Sequence, residues 1–335
     1  MIRVGINGIG RIGKLVFRLI ARRGDMQVAV VNDPMPMQAL MHLFRYDTVH
    51  GRFDLHVGMD ELNQHILVNG HRVRKYDASQ PANIPWNEHG VDAVIDSSGH
   101  FLYRHELAAH LKEGVKQVIL SCPPAGELDN MVVLGVNHES LDAGQQIISN
   151  ASCTTNCIAP LIQLLHARWG IDRAFMNTVH PYTNSQNVTD GPHADLRRAR
   201  CANQNIIPTT TSAIRAVQEI IPEMKGRFDG FASRVPVSDG SFVELNAILR
   251  SPASKEQVNE LFKAAAGGQM KGIIEYTEDP IVSSDVIGNP HSAIFDGLST
   301  RMLGKDFLQV LAWYDNEYAY ANRLVELITR LPRLG

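Results

Sequence analysis

Residues 2–24 read IRVGINGIGRIGKLVFRLIARRG. Ile2 to Ile6 is a short apolar run of the kind a buried strand carries. After the glycines, Leu15, Val16, Leu19 and Ile20 recur at helical spacing, and Gly24 closes the pattern. Between strand and helix, Gly8, Gly10 and Gly13 form G-x-G-x-x-G, with Asn7, Arg11 and Ile12 as further cofactor-binding candidates. Each glycine has its own task. Gly8 permits the tight turn, Gly10 lets a pyrophosphate approach the backbone, and Gly13 lets helix and strand pack closely. The helix start offers free N–H groups and a partial positive charge to the phosphates. The next strand, QVAVVND, ends at Asp33, 20 residues beyond Gly13. A carboxylate there accepts hydrogen bonds from the adenosine ribose and repels a 2′-phosphate, so the expected cofactor is NAD rather than NADP.

The pattern extends outward. VDAVIDSSG (91–99), KQVILSCPP (116–124) and MVVLGVN (131–137) read as further strands, and RHELAAHLKEG (104–114) as a helix. Alternating strands and helices predict an α/β domain with a doubly wound, Rossmann-like parallel sheet. Ser98, Gly99 and Ser121 fall at its carboxyl edge, where ligands bind. After Ser152 the character changes. AFMNTVHPYT, GFASRVPV, SFVELNAILR and DFLQVLAWYDN read as longer, alternating strands. Helices fall between them, one opened by the capping box Ser254–Gln257. That predicts an α+β domain around a mixed or antiparallel sheet. A long polar loop runs from Pro181 to Pro208, a length that marks function or an interface.

Composition narrows the classes. With 44% hydrophobic and 20% charged residues, the 335-residue chain reads as globular. A net charge of −3 offers no footprint for nucleic acid. No apolar run reaches the roughly 20 residues a membrane span needs. Four scattered cysteines fit a reduced, cytoplasmic protein, and no export leader is read ahead of Ile2. No zinc-like ligand spacing appears, so no metal is expected.

SNASCTTNCIAP (149–160) places Cys153 just before an apolar helical pattern. In the first helical turn, the dipole and free N–H groups are expected to lower its pKa and stabilise a thiolate. Cys157, one turn on, reads as a small core residue. His180 ends the strand FMNTVH and opens the polar loop, which makes it the candidate base.

INGIGRIG, SNASCTTNC, DGPHADLRRAR, NIIPTTT, RVP and WYDNEYAYANR occur in order and together resemble the phosphorylating glyceraldehyde-3-phosphate dehydrogenases over nearly the whole chain. The resemblance implies an NAD-binding domain at 1–151, completed by a C-terminal helix at about 317–335, and a catalytic domain at 152–316. It implies that Cys153 attacks an aldehyde, with His180 as its base, and that inorganic phosphate opens the resulting thioester. The phosphorylated aldehyde's phosphate falls to Thr183 and Arg234, with Arg198 near or between the two anion pockets. Ser152, Thr154, Thr211 and Ser212 match the pocket for attacking phosphate. Asn316 matches the residue that holds the nicotinamide carboxamide, Tyr320 a ring near it, and Pro192 a mark of NAD preference. A homotetramer built partly on the Pro181–Pro208 loop is implied as well.

Several positions depart from that pattern. Ile9 stands for an aromatic residue, Ser79 for an arginine, Ala319 for a glycine, and Thr211-Ser212 for Thr-Gly. VSDGS (237–241) replaces a more typical P-x-x-N-V-S segment. Erythrose-4-phosphate dehydrogenase is the near alternative. A cysteine–histidine hydrolase and a weakly catalytic NAD-binding interaction protein are the alternatives from other classes.

Overall fold

The computed structural model describes residues 1–332 and 334. It divides into two compact units, one of residues 1–132, 137–151 and 321 onward, the other of 133–136 and 152–320. The C-terminal helix expected at about 317–335 is Tyr318–Ile328, and residues 333 and 335 lie outside the described residues.

The first unit opens with β1 (Ile2–Asn7), α1 (Arg11–Ile20), β2 (Met26–Asn32) and α2 (Met37–Arg45). β3 (Val57–Asp60), β4 (His65–Val68) and β5 (His71–Tyr76) follow as an antiparallel run. β6 (Ala93–Asp96), α3 (Arg104–Leu107), β7 (Gln117–Leu120), β8 (Asn130–Met131) and β9 (Ile147–Ser149) complete it. The nine-stranded sheet has the order β3-β4-β5-β2-β1-β6-β7-β9-β8. β1 pairs in parallel with β2 on one side and β6 on the other, so the strand order reverses around it. The glycine turn leaving β1 therefore lies at the switch point where open α/β sheets bind ligands. The doubly wound parallel architecture is as expected.

Two expectations need correction. MVVLGVN contributes only Met131 to a strand; Val132 donates to Ser149 O and the chain then turns, with Val136 N bonded to Val133 O. Val132, Val133 and Leu134 are apolar because they are buried, which a strand-like run cannot distinguish. RHELAAHLKEG is one short helix, α3, followed by a 3-10 turn at Ala108–His110.

Beneath the carboxyl ends of β1, β2 and β6 lies a buried polar chain. Trp86 Nε1 donates to His110 Nδ1, and His110 Nε2 donates to Asp96 Oδ2. Asn7 Nδ2 donates to the same Asp96 oxygen, and Asn32 Nδ2 to Asn7 Oδ1. Every member is buried and partnered, as a buried polar group must be to avoid its desolvation penalty.

The second unit begins with α4 (Cys153–Trp169), β10 (Ile171–Pro181), β11 (Ile207–Thr209), α5 (Ala213–Ile220), β12 (Phe228–Val235) and β13 (Ser241–Leu249). It continues through α6 (Lys255–Gly267), β14 (Ile274–Thr277), β15 (Ala293–Asp296), β16 (Arg301–Leu303) and β17 (Phe307–Tyr314), and α7 (Tyr318–Ile328) starts at its end. The eight strands form a mixed sheet ordered β11-β12-β10-β13-β17-β15-β14, with β16 on β17. β10 runs parallel to β12 and antiparallel to β13, and β13 is antiparallel to β17. β13 alternates strictly between buried and half-buried positions, the period-2 pattern of a sheet with one face on the core. α4 is buried on nearly every side, so its apolar pattern is not confined to one stripe. Among the described residues, no helix is long and apolar enough to cross a membrane.

Candidate active site

In the second unit, the start of α4 meets the end of β10. Ala151, just before the helix, holds a left-handed φ of 54°. Ser152 then caps α4, its Oγ accepting from Thr155 N at 3.1 Å. The next residue is Cys153, whose Sγ lies 3.5 Å from His180 Nε2. Both sides of that pair are fixed by Tyr314 at the end of β17. Its buried hydroxyl bonds Thr154 Oγ1 at 2.9 Å and Thr178 Oγ1 at 3.1 Å, one residue after the cysteine and two before the histidine.

Arg234 holds the far side of the imidazole. Its Nη1 donates to His180 Nδ1 at 2.6 Å and to Pro181 O at 2.9 Å. A guanidinium only donates, so this arrangement assigns the ring proton to Nε2, facing the sulfur. Pro181 O also lies 2.8 Å from Nδ1, so the other tautomer has an acceptor waiting. β10 and β12 run parallel with His180 opposite Arg234, which is why these residues meet.

The expected thiolate needs correction. Burial pushes the Cys153 thiol up to about 11, although Arg234 and Thr154 pull it down. Burial, then Arg234, hold His180 down at about 3. Burial thus disfavours charge on both members of the pair, the thiolate and the imidazolium alike.

The remaining site residues fall nearby or apart as follows. Arg198 donates from Nε to Thr209 Oγ1 and from Nη2 to Thr210 O. Burial lowers the pKa of Arg234, and the positive charge of Arg198 adds to that. Two cations that repel each other favour an anion between them. Arg234 Nε is buried with no hydrogen-bond partner among the described residues. Thr183 is half-buried, its hydroxyl on Ser185 Oγ. Thr211 Oγ1 accepts from Ala213 N at the start of α5, and Ser212 is exposed. Ser212 has φ −68°, an ordinary helical value, so serine in place of glycine costs no backbone strain. Asn316 is buried, and its Oδ1 accepts from Ser241 Oγ at 2.8 Å. Tyr320 is buried and Pro192 exposed.

The glycine turn of the first unit fits a dinucleotide. Gly8 has φ +90°, and a Cβ there would stand 2.5 Å from Ser98 backbone atoms. A Cβ on Gly13 would overlap the Gly8 carbonyl oxygen. Gly10, the N-cap of α1, has φ −73° and nothing within 4 Å of where a Cβ would be. The protein itself has no need of glycine there; an approaching phosphate does. Asp33 accepts from Ile9 N at 2.7 Å and Met35 N at 2.8 Å, one on each oxygen, which leaves a lone pair on each for a ribose. Ser98 donates to Asp96 Oδ1, and Ser121 N to Asp96 O, so both sit at the ends of the central strands. The Asn7 side chain belongs to the buried polar chain. Arg11 pairs with Asp47 at 2.5 Å, and Ile12 is half-buried. Burial opposes ionisation of Asp47, but Arg11 and the His50 and Val49 N–H groups outweigh it and hold its pKa far below the usual range.

Sequence reasoning gave Tyr314 and Ser241 no role, although they lie in the quoted segments WYDNEYAYANR and VSDGS; strand pairing brings them together, through β13 and β17, where Ser241 lies opposite Tyr314.

Residues 2–104 match the family model described as glyceraldehyde 3-phosphate dehydrogenase, NAD binding domain, and residues 152–316 its C-terminal domain. The chain is 45% identical to glyceraldehyde-3-phosphate dehydrogenase of Geobacillus stearothermophilus, over 100% of this chain and 99% of the relative. It is 44% identical to glyceraldehyde-3-phosphate dehydrogenase 1 of Bacillus cereus, covering both chains fully. With the Mycobacterium avium glyceraldehyde-3-phosphate dehydrogenase it shares 46% identity over 98% of this chain and 97% of the relative.

Proposed function

The chain belongs to the glyceraldehyde 3-phosphate dehydrogenase family, and on that premise we propose that it converts D-glyceraldehyde 3-phosphate and inorganic phosphate to 1,3-bisphosphoglycerate with NAD. The observation that carries the reading is the Cys153–His180 contact at the start of α4, with Arg234 on the far side of the ring.

The substrate's phosphate competes for Arg234 and draws it from His180. The ring proton then moves to Nδ1 and is donated to Pro181 O, 2.8 Å away. That frees the Nε2 lone pair for the thiol proton, so the nucleophile is unmasked when substrate arrives. The Cys153 sulfur adds to the aldehyde carbon to give a thiohemiacetal. NAD, when bound, supplies the hydride acceptor. As the C–S bond forms, His180 hands the thiol proton on to the aldehyde oxygen, which becomes the hydroxyl; as that carbon is oxidised, His180 takes the proton back and the thioester carbonyl forms. The Cys153 N–H at the helix start faces the developing oxyanion. A phosphate oxygen then attacks the thioester carbon, the C–S bond breaks, the sulfur regains its proton from His180, and the proton of the attacking hydrogen phosphate is released to solvent. The acyl phosphate leaves.

Thr183, Arg234 and Arg198 serve the substrate phosphate; Ser152, Thr154, Thr211 and Ser212 serve the attacking one. Gly8, Gly10, Gly13 and Asp33 serve the dinucleotide, and Asn316 and Tyr320 its nicotinamide end. We place the active form as a homotetramer in the cytoplasm. Four free thiols suit a reducing compartment. The sheet face bearing Phe175 and Phe231 offers apolar surface for assembly.

The test follows reduced nicotinamide by absorbance, with glyceraldehyde 3-phosphate at varied phosphate and arsenate, and erythrose 4-phosphate as comparator. Turnover should require phosphate or arsenate, favour the triose, and fall on the order of a thousandfold or more in Cys153→Ser. Turnover that ignores phosphate, or survives in the serine variant, removes the reading.

A further inference from the structure

Asn7, Asn32 and Asp96 are the last residues of β1, β2 and β6. Asn7 lies opposite Asn32 on one side and opposite Asp96 on the other, so the three form one polar rung across the first unit's sheet. From each the chain passes straight into a segment assigned to the dinucleotide: Gly8 after Asn7, Asp33 after Asn32, Ser97 and Ser98 after Asp96. All three side chains are buried, which is costly unless each polar atom is paired. The direction of the bonds that link them is set by groups that can only donate. Ala78 N donates to Asn32 Oδ1 at 2.8 Å, so the other end of that amide is Nδ2, which donates to Asn7 Oδ1 at 2.8 Å. Asn7 Nδ2 is left to donate to Asp96 Oδ2 at 2.8 Å. From the other side comes the Trp86 indole, a donor and never an acceptor, 3.1 Å from His110 Nδ1. That nitrogen is therefore bare, and the ring proton on Nε2 is donated to the same Asp96 oxygen at 3.0 Å. Asp96 Oδ1 accepts from Ser98 N at 3.0 Å and from Ser98 Oγ at 2.7 Å. Two lines of donors thus end on one carboxyl group.

We propose that Asp96 is a positioning residue for the cofactor: as the acceptor on which both lines end, it sets the spacing of the three strand ends from which the glycine turn, Asp33 and Ser98 depart, and so acts on the ADP-ribose part of the dinucleotide without touching it. The inference rests on the dinucleotide reading of that turn. His110 serves the same end one bond further away, and Trp86 holds it in the tautomer that donates. Loops already held at the right spacing bind without being ordered first, so loosening the rung is felt as weaker binding of the whole ADP-ribose part.

Isothermal titration calorimetry on the full chain tests this with NAD and ADP-ribose. Asp96→Asn turns one accepting oxygen into a donor that faces donors, and His110→Leu removes one line. Each should weaken NAD and ADP-ribose by the same factor, on the order of tenfold. His110→Gln offers an acceptor to the indole and a donor to Asp96, and should stay within about threefold of wild type. Alkylation of Cys153 by iodoacetamide without cofactor, and kcat at saturating NAD, should hold within about twofold in all three, because the rung lies outside the thiol chemistry. A merely structural link would lower the melting temperature and leave the dissociation constants of the folded variants as in wild type; that result overturns the proposal. So does a loss for NAD alone, or a fall in alkylation as large as the fall in affinity. Should neither weakened variant fold, nitrogen-15 NMR of the wild-type histidines decides: His110 should carry its proton on Nε2, and a proton on Nδ1 overturns the arrangement. Failure of the underlying reading looks different, since wild type would then bind neither NAD nor ADP-ribose.

Discussion

Two carboxyl groups, Asp239 and Asp315, lie buried side chain to side chain in the second unit. Asp315 accepts three backbone N–H groups with its two oxygens. Asp239 keeps the proton: burial, then the charges of Asp315 and Glu317, push it up to about 9. A carboxyl whose pKa is raised on folding binds its proton more tightly in the native state than in the unfolded chain. Its stabilisation is therefore complete below the ordinary aspartate range, about 4, and is lost as pH climbs through 9. Asp239→Asn keeps a donor for Asp315 and cannot ionise. Urea midpoints at pH 5, 7 and 9 should show wild type losing ground to the variant as pH rises, by up to about 1.4 kcal/mol per unit. Parallel profiles would show that Asp239 carries no proton. At this scale Cys153 and His180 were legible, because each sits in a short motif at the end of an element. The state of the sulfur was not, since burial raises it against the pull of the distant Arg234 and no local spacing encodes either.

The glycine turn shows what an element can reveal. Strand, turn and helix are contiguous in the chain, so β1, α1 and the switch point between them were readable from 23 residues, 2–24. The geometry separates glycines that the motif lumps together. Gly8→Ala forces a side chain into Ser98 at a positive φ and should cost about 3 kcal/mol or more of stability. Gly10→Ala meets nothing and should shift melting by only a degree or two, while weakening NAD at least tenfold by calorimetry. A Gly10→Ala protein that binds NAD normally would mean the phosphates lie elsewhere. The run 131–137 misled for the opposite reason: a buried turn is as apolar as a strand, and its hydrogen bonds, not its composition, make it a turn. α2 went unread although Met37, Leu40, Met41 and Phe44 have helical spacing; Pro36 at its cap reads as readily as a loop.

Across the whole molecule, the mixed sheet of the second unit keeps a face that is not fully buried. Phe175 and Phe231, 46% and 38% exposed, stand 6.0 Å apart on it, and Phe242 and Trp313 lie on the same side of their strands. Such surface is costly to leave in water. Sedimentation velocity should find several copies associated at micromolar concentration, and Phe231→Asp should shift them to smaller species. Wild type that sediments as single chains would refute that use of the face. The buried Trp86–His110–Asp96 chain has a separate consequence. Trp86 is the first unit's sole indole, and the remaining two, Trp169 and Trp313, belong to the second. Replacing those two with phenylalanine leaves one fluorophore, sealed from water and bonded to an imidazole nitrogen, whose emission reddens only when its own half opens. Its melting curve, set beside loss of thiol chemistry in the other half, reads out whether the chain comes apart in one step or two.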